Sequence, residues 1–194
     1  LPDVEKRKEY YATPFNASLE QLKGLPPALV QLAENDILFD ESSLEQGRHF
    51  NNKMWNALKL IRLWESKTDA GLSGEVQAFA VNWFENRLRE AQAEIEQMMQ
   101  QFRLSEALKT LYSLIWDDFC SWYLEWVKPG FEQPMPLVIY QKTIEFYTLL
   151  MEMLHPFMPF ITEEIYHLLD ERNTDLCVRL QTTLPAADAA YIQK

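Results

Sequence analysis

Apolar residues recur every three or four positions from Phe50 to Trp64, and Phe50, Met54, Ala57, Leu58, Ile61 and Trp64 fall on one helical face. Ser42, followed three residues on by Glu45, forms a capping-box pattern, so the spacing predicts a first helix that starts at Ser42. Its opposite stripe is polar and holds Arg48, Asn52, Asn56 and Lys59. Asp69 to Gly74 reads as a loop. Ser73 is a candidate cap for a second helix that buries Val76, Phe79, Ala80, Trp83 and Phe84 before a solvated run ending near Gln101. A third helix is expected from a Ser105 cap to about Val127, where Pro129 and Gly130 stop it. It carries two apolar stripes, Leu111, Leu114, Ile115 and Trp122 on one and Tyr112, Trp116, Phe119 and Tyr123 on the other, which places it in the middle of its neighbours. Pro134 and Pro136 lead into a fourth helix, Leu137 to about Leu154. Thr162 caps a fifth, with Glu163 and Glu164 in its first turn, where the helix dipole favours carboxylates. The expected fold class is all-α, an antiparallel bundle of about five helices. After about Arg172 the pattern turns irregular, and Asp175 to Leu180 fits either a short strand or an extended arm.

Composition strengthens the helical reading, because 5 glycines stand against 6 tryptophans, 11 phenylalanines and 8 tyrosines. Large rings on few flexible joints favour long elements. With 194 residues and 47% hydrophobic content the chain can fill one core. Two cysteines make no disulfide framework, and Cys120, inside an apolar helical run, reads as a buried free thiol suited to a reducing compartment. No stretch approaches the roughly 20 apolar residues of a membrane span. The opening Leu1-Pro2-Asp3-Val4-Glu5 has no signal-peptide character, so a cytoplasmic protein without membrane contact is expected. The net charge of −11 argues against general nucleic-acid binding. Locally the balance reverses: from Glu45 to Lys67, Arg48, Lys53, Lys59, Arg62 and Lys67 outnumber Glu45 and Glu65. A domain that contributes to a larger RNA-binding surface tolerates that imbalance, and weak binding is expected of this chain alone.

The first helix sets bases, amides and aromatics together in Arg48-His49-Phe50-Asn51-Asn52-Lys53-Met54-Trp55-Asn56. Arg and Lys neutralise phosphate, Asn pairs with base edges, and rings stack on unpaired bases. Two further blocks follow: Trp116-Asp117-Asp118-Phe119-Cys120-Ser121-Trp122-Tyr123-Leu124-Glu125 with Lys128-Pro129, and Leu154-His155-Pro156-Phe157-Met158-Pro159-Phe160-Ile161-Thr162-Glu163-Glu164-Ile165. In this order, from about Asn35 to Asp170, they resemble the valyl-tRNA synthetases. The closing His-Pro-Phe-x-Pro-Phe-x-Thr-Glu-Glu is shared with isoleucyl and leucyl enzymes, whereas Asn-Lys-x-Trp-Asn and Trp-Tyr-x-Glu point to the valyl branch. The resemblance implies the helical anticodon-binding domain of a class I enzyme, whose partners are valine tRNA, not DNA, and the catalytic domain of the same enzyme. It places anticodon contacts on Arg48, Asn52, Lys53, Asn56 and Lys59, with Lys53 foremost; Trp55 could stack on a base, but its neighbours favour a core role. The coiled-coil arm usual in that family has no counterpart here. Residues 1–34 depart from the pattern. Lys23-Gly24-Leu25-Pro26-Pro27-Ala28-Leu29-Val30, leading to Glu34-Asn35-Asp36, instead resembles the end of an α/β-hydrolase, in which Asp36 would match a triad member. The division expected is an irregular or foreign leading segment 1–34, a helical domain 35–172 and an extended tail 173–194.

Catalytic chemistry is not expected. Gly71-Leu72-Ser73-Gly74-Glu75 lacks the last glycine of a nucleophile elbow. The His-Ile-Gly-His and Lys-Met-Ser-Lys-Ser motifs that hold ATP are missing, so ATP belongs to the parent enzyme and no cofactor to this chain. His49, His155 and His167 stand apart from other ligands at metal spacing, and no metal site is expected. Asp117, Asp118 and Glu125 are expected to face solvent or to pair with bases such as Arg48 or Lys53. His155-Pro156 and Pro159 read as a packing corner, and the methionines from Met151 to Met158 as core filler. A competing reading, favoured by the acidic charge, is a helical protein–protein interaction module that does not bind RNA.

Overall fold

A helix with one apolar stripe needs other helices to cover it, and the computed structural model of the chain shows how they are supplied. It describes residues 41–170, 174–179 and 182–188. All of these belong to the unit that begins at Glu41. The leading segment, with its hydrolase-like run and Asp36, lies outside the described residues.

Helix α1 spans Glu41–Glu65. A 3-10 turn at Glu75–Gln77 opens into α2, Ala78–Gln100. Helix α3, Leu104–Ser113, continues through a π-helical stretch, Leu114–Tyr123, into the short α4, Leu124–Val127, as one rod. Helices α5, Leu137–Leu154, and α6, Pro159–Leu169, complete the set. With α3 to α4 counted together, the described residues form an all-α bundle of five helices. A parallel bridge between β1, Thr68–Asp69, and β2, Met135–Pro136, pairs Thr68 with Met135 and Asp69 with Pro136. Two residues per strand are too few to leave a periodic signal.

Phe84 sits in the core with its ring centroid 5.3 Å from Phe119, 5.0 Å from Tyr123 and 5.2 Å from Phe146. Buried tyrosines keep partners for their hydroxyls: Tyr147 donates to the Met54 carbonyl at 2.7 Å, and Tyr123 meets Thr143 Oγ1 at 2.9 Å. All six apolar positions of the first stripe, Phe50 to Trp64, are buried. Met151 and Met153 are buried as well.

Three expected core positions are instead exposed: Val76 is 92%, Phe79 61% and Trp122 53% exposed. Val76 lies in the 3-10 turn, whose tighter winding takes it out of phase with Ala80 and Phe84. Trp122 lies in the π-helical stretch, where each turn takes nearly one residue more than an α turn, so position 122 no longer returns above Ile115. Phe79 stands at the rim, 5.9 Å from the Trp126 ring.

The predicted starts also shift. Ser42 lies inside α1, and Ser105 inside α3, whose N-cap is Arg103. Ser73 Oγ is only within 3.5 Å of the Glu75 amide, and the chain enters the turn through Gly74 at φ 68. Helix α6 starts at Pro159 rather than Thr162, since proline at the first turn is already set for a helix and lacks an N–H to satisfy. Thr162 therefore back-bonds, donating to the Met158 carbonyl at 2.8 Å.

Beyond α6, the backbone at Asp175 to Arg179 forms a 3-10 turn, Leu176–Val178, flanked by extended residues. The stretch 182–188 is held by side chains. Gln92 Nε2 donates to the Thr182 carbonyl at 2.6 Å while its Oε1 accepts the Leu184 amide at 2.8 Å. Asn86 accepts the Asp188 amide at 2.8 Å, and Glu152 accepts that of Thr182 at 3.2 Å.

Candidate nucleic-acid interface

Because α1 buries Phe50, Met54, Leu58 and Ile61, the helical repeat turns its other face outward. Arg48, Asn52, Asn56 and Lys59 are all exposed on that face, along about 16 Å of axis. Arg48 stands 3.9 Å from Glu45, a pair exposed on both sides and so weakly held. No described carboxylate pairs with Lys53 or Lys59.

Lys53 is placed differently. It is half-buried on the flank of α1, with Nζ 5.1 Å from the centre of the Trp116 ring. Trp116 stacks on Tyr112 at 5.6 Å, and Tyr112 meets Phe50 at 4.8 Å. A half-exposed aromatic ladder from the α3 rod thus runs beside the cation. Trp116 and Tyr112 were assigned to core stripes from the sequence, and nothing local ties them to Lys53, which is more than fifty positions away. Trp55 packs partly buried against the core.

Burial pushes the Cys120 thiol up to about 12, and nearby Lys53 opposes this only in part. The group stays a protonated, inert thiol at neutral pH.

Of Asp117, Asp118 and Glu125, expected to face solvent or to pair with bases such as Arg48 or Lys53, Asp117 and Glu125 are exposed, and none of the three pairs with Arg48 or Lys53. Asp118 takes Arg87, at 2.9 Å from Nη2 and 3.1 Å from Nε. Burial acts to lower the Arg87 guanidinium, but its bonds to Asp118 and Glu90 outweigh this and raise it. Asp117 accepts the Ser113 hydroxyl at 2.8 Å, and Glu125 pairs with Lys128 at 3.4 Å. None of these three carboxylates neutralises the cations of α1.

At the far end of α1, Leu60, Leu63, Trp64 and Lys67 line one wall of an open cavity of about 310 Å³. The other wall is the loop from Lys128 to Gln133. The Met135 amide bonds to the Lys67 carbonyl at 2.9 Å, so the β1–β2 bridge holds this loop against the helix. Phe131 at its tip is 94% exposed. This cavity had no sequence signal, because its walls are joined only by tertiary pairing.

The histidines are less isolated than their spacing suggests, since folding brings Glu163, His167 and Asp175 within 4.8 Å of one another. No helix among the described residues is long and apolar enough to cross a membrane.

A family model described as the anticodon-binding domain of tRNA ligase matches residues 81–192, a span that starts after α1. The chain is 51% identical over 141 residues to a valine–tRNA ligase of Porphyromonas gingivalis, which covers 73% of the chain and 16% of that protein. It is 44% identical over 162 residues to the one from Parabacteroides distasonis, covering 82% and 18%, and 46% identical over 163 residues to that of Phocaeicola vulgatus, covering 84% and 18%. The chain thus spans less than a fifth of the length of these curated relatives.

Proposed function

Because the chain belongs to the anticodon-binding domain family of tRNA ligases and its relatives are valine–tRNA ligases, we propose that it docks the anticodon loop of valine tRNA on the outer face of α1. Unstacked bases meet the line of Arg48, Asn52, Asn56 and Lys59, with amides reading base edges and cations holding phosphates. Lys53 and the Trp116–Tyr112 ladder extend that line with a cation beside stacked rings, the pairing that holds single-stranded bases without a duplex. Phe131, with Lys67 and Lys128 around it, offers a second platform at the end of the ridge. ATP-dependent ligation of valine is carried out elsewhere in the parent enzyme, in the cytoplasm, and this domain acts by holding the correct tRNA in place.

The observation that carries this reading is that a cationic, amide-bearing face stands in solvent on an otherwise acidic molecule, with only Arg48 drawn into a weak, exposed pair with Glu45. Filter-binding titrations with valine tRNA and with the same tRNA carrying a swapped anticodon test it. The swapped tRNA should bind more weakly. Lys53→Ala should lower the slope of log affinity against log salt by about one phosphate contact, and Asn56→Ala should reduce the discrimination by roughly 1–3 kcal/mol. Lys53→Arg should retain binding, since guanidinium also stacks on an aromatic face. Equal affinity for both tRNAs, with no effect of these changes, would leave the helical interaction module as the better description.

A further inference from the structure

The cleft between α6 and the Leu176–Val178 turn gathers metal-ligand chemistry from three parts of the chain. His167 Nε2 lies 3.1 Å from Asp175 Oδ1 and 3.2 Å from Glu163 Oε1. His155, from the end of α5, brings its Nε2 to 4.0 Å from Glu163 Oε2. Cys177, a free thiol, lines the same cavity as His155, Glu163 and His167.

Hydrogen bonds settle which nitrogen of His155 is free. Thr162 Oγ1 has one proton, and it donates to the Met158 carbonyl at 2.8 Å. The 2.8 Å contact between Thr162 Oγ1 and His155 Nδ1 therefore needs its proton on Nδ1. In the neutral ring, Nε2 then turns a lone pair toward the Glu163 carboxylate. The two acceptors stand 4.0 Å apart, and either a proton or a metal cation between them would remove the conflict. Both are already oriented: His155 by Thr162, and Glu163 by the Leu176 amide at 2.7 Å. Outer contacts of this kind fix ring and carboxylate before a metal arrives.

We propose that Glu163, His167 and Asp175 bind a borderline divalent transition metal of the zinc type, through the His167 Nε2 atom and carboxylate oxygens, with His155 beside Glu163 and the Cys177 thiol at the cavity wall. That donor set suits zinc, and separations of 3.1 and 3.2 Å are near the edge of a tetrahedron with bonds of about 2.0–2.1 Å. Such an ion would fasten the turn after α6 to that helix, at a distance in sequence from the α1 ridge. It is independent of the RNA-binding reading.

Isothermal titration of zinc ion into the metal-stripped 194-residue chain, with cobalt(II) absorption as a second readout, tests the assignment. Saturable uptake of a single ion is expected, with cobalt bands of a four-coordinate site. His167→Gln and Asp175→Asn, both at exposed positions, should each weaken binding at least about tenfold while circular dichroism is unchanged. Absence of saturable uptake, or uptake that survives His167→Gln combined with Asp175→Asn, would overturn the proposal.

Discussion

Lys53 and Cys120 show how one contact sets the behaviour of two side chains. Lys53 leans on the Trp116 ring instead of extending into water, which holds its charge in one place beside an aromatic face. Cys120 lies deeper, and its thiol is raised from 9.0 to about 12, first by burial, with Lys53 opposing. An acid whose folded value is raised stabilises the protein fully below its unfolded value, so this contribution is complete below 9.0 and is lost as pH climbs toward about 12. Ellman's reagent at neutral pH should therefore modify the exposed Cys177 alone in the native chain, and both thiols after denaturation. Tyr147 makes a different kind of contact, joining α5 to the Met54 carbonyl in the middle of α1. Tyr147→Phe should cost about 0.5–1.5 kcal/mol in urea denaturation, the net worth of one buried hydrogen bond, without opening a cavity.

The helices differ in how openly the sequence declared them. Helix α5 matches its expected span, Leu137–Leu154, because prolines mark its start and apolar residues recur throughout it. Helix α1 displays its buried stripe in full, and the exposure of Arg48, Asn52, Asn56 and Lys59 follows from the same period. The caps misled, since Ser and Thr carry the same hydroxyl at a helix start and one turn inside it, and Pro159 outranked Thr162. In the central rod, the π-helical winding rotated Trp122 outward, a change of pitch that a 3.6-residue period cannot express. Gly74 marks the entry to α2 with φ +68, and an added Cβ would lie 2.9 Å from Ile139 Cγ1 and 3.1 Å from Val138 Cγ1. Gly74→Ala should destabilise by at least about 1–2 kcal/mol, the cost of a left-handed residue with a side chain, measured by thermal or urea unfolding.

For the whole molecule, the aromatic core and the polar strap over it carry the stability. Phe84→Ala should lower unfolding free energy by about 3–5 kcal/mol, since four rings would border the void. The strap 182–188 bonds to Asn86, Gln92 and Glu152 Oε2, each residue nearly buried, and Arg179 approaches Glu152 Oε1 at 3.1 Å. A chain ending at Val178 should lose about 2–4 kcal/mol, from hydrogen bonds to groups that would stay partly desolvated. Helix number and type, the buried stripe of α1 and the cationic character of its outer face were written in the order of residues, because amphipathic period and local charge are properties of neighbours along the chain. The Lys53–Trp116 contact, the partners of Asp118, the cavity beside Phe131 and the Glu163–His167–Asp175 cluster required the tertiary structure. Each joins residues from different segments, and the packing of whole helices, with the pitch and bridges that adjust it, decides which of those segments meet.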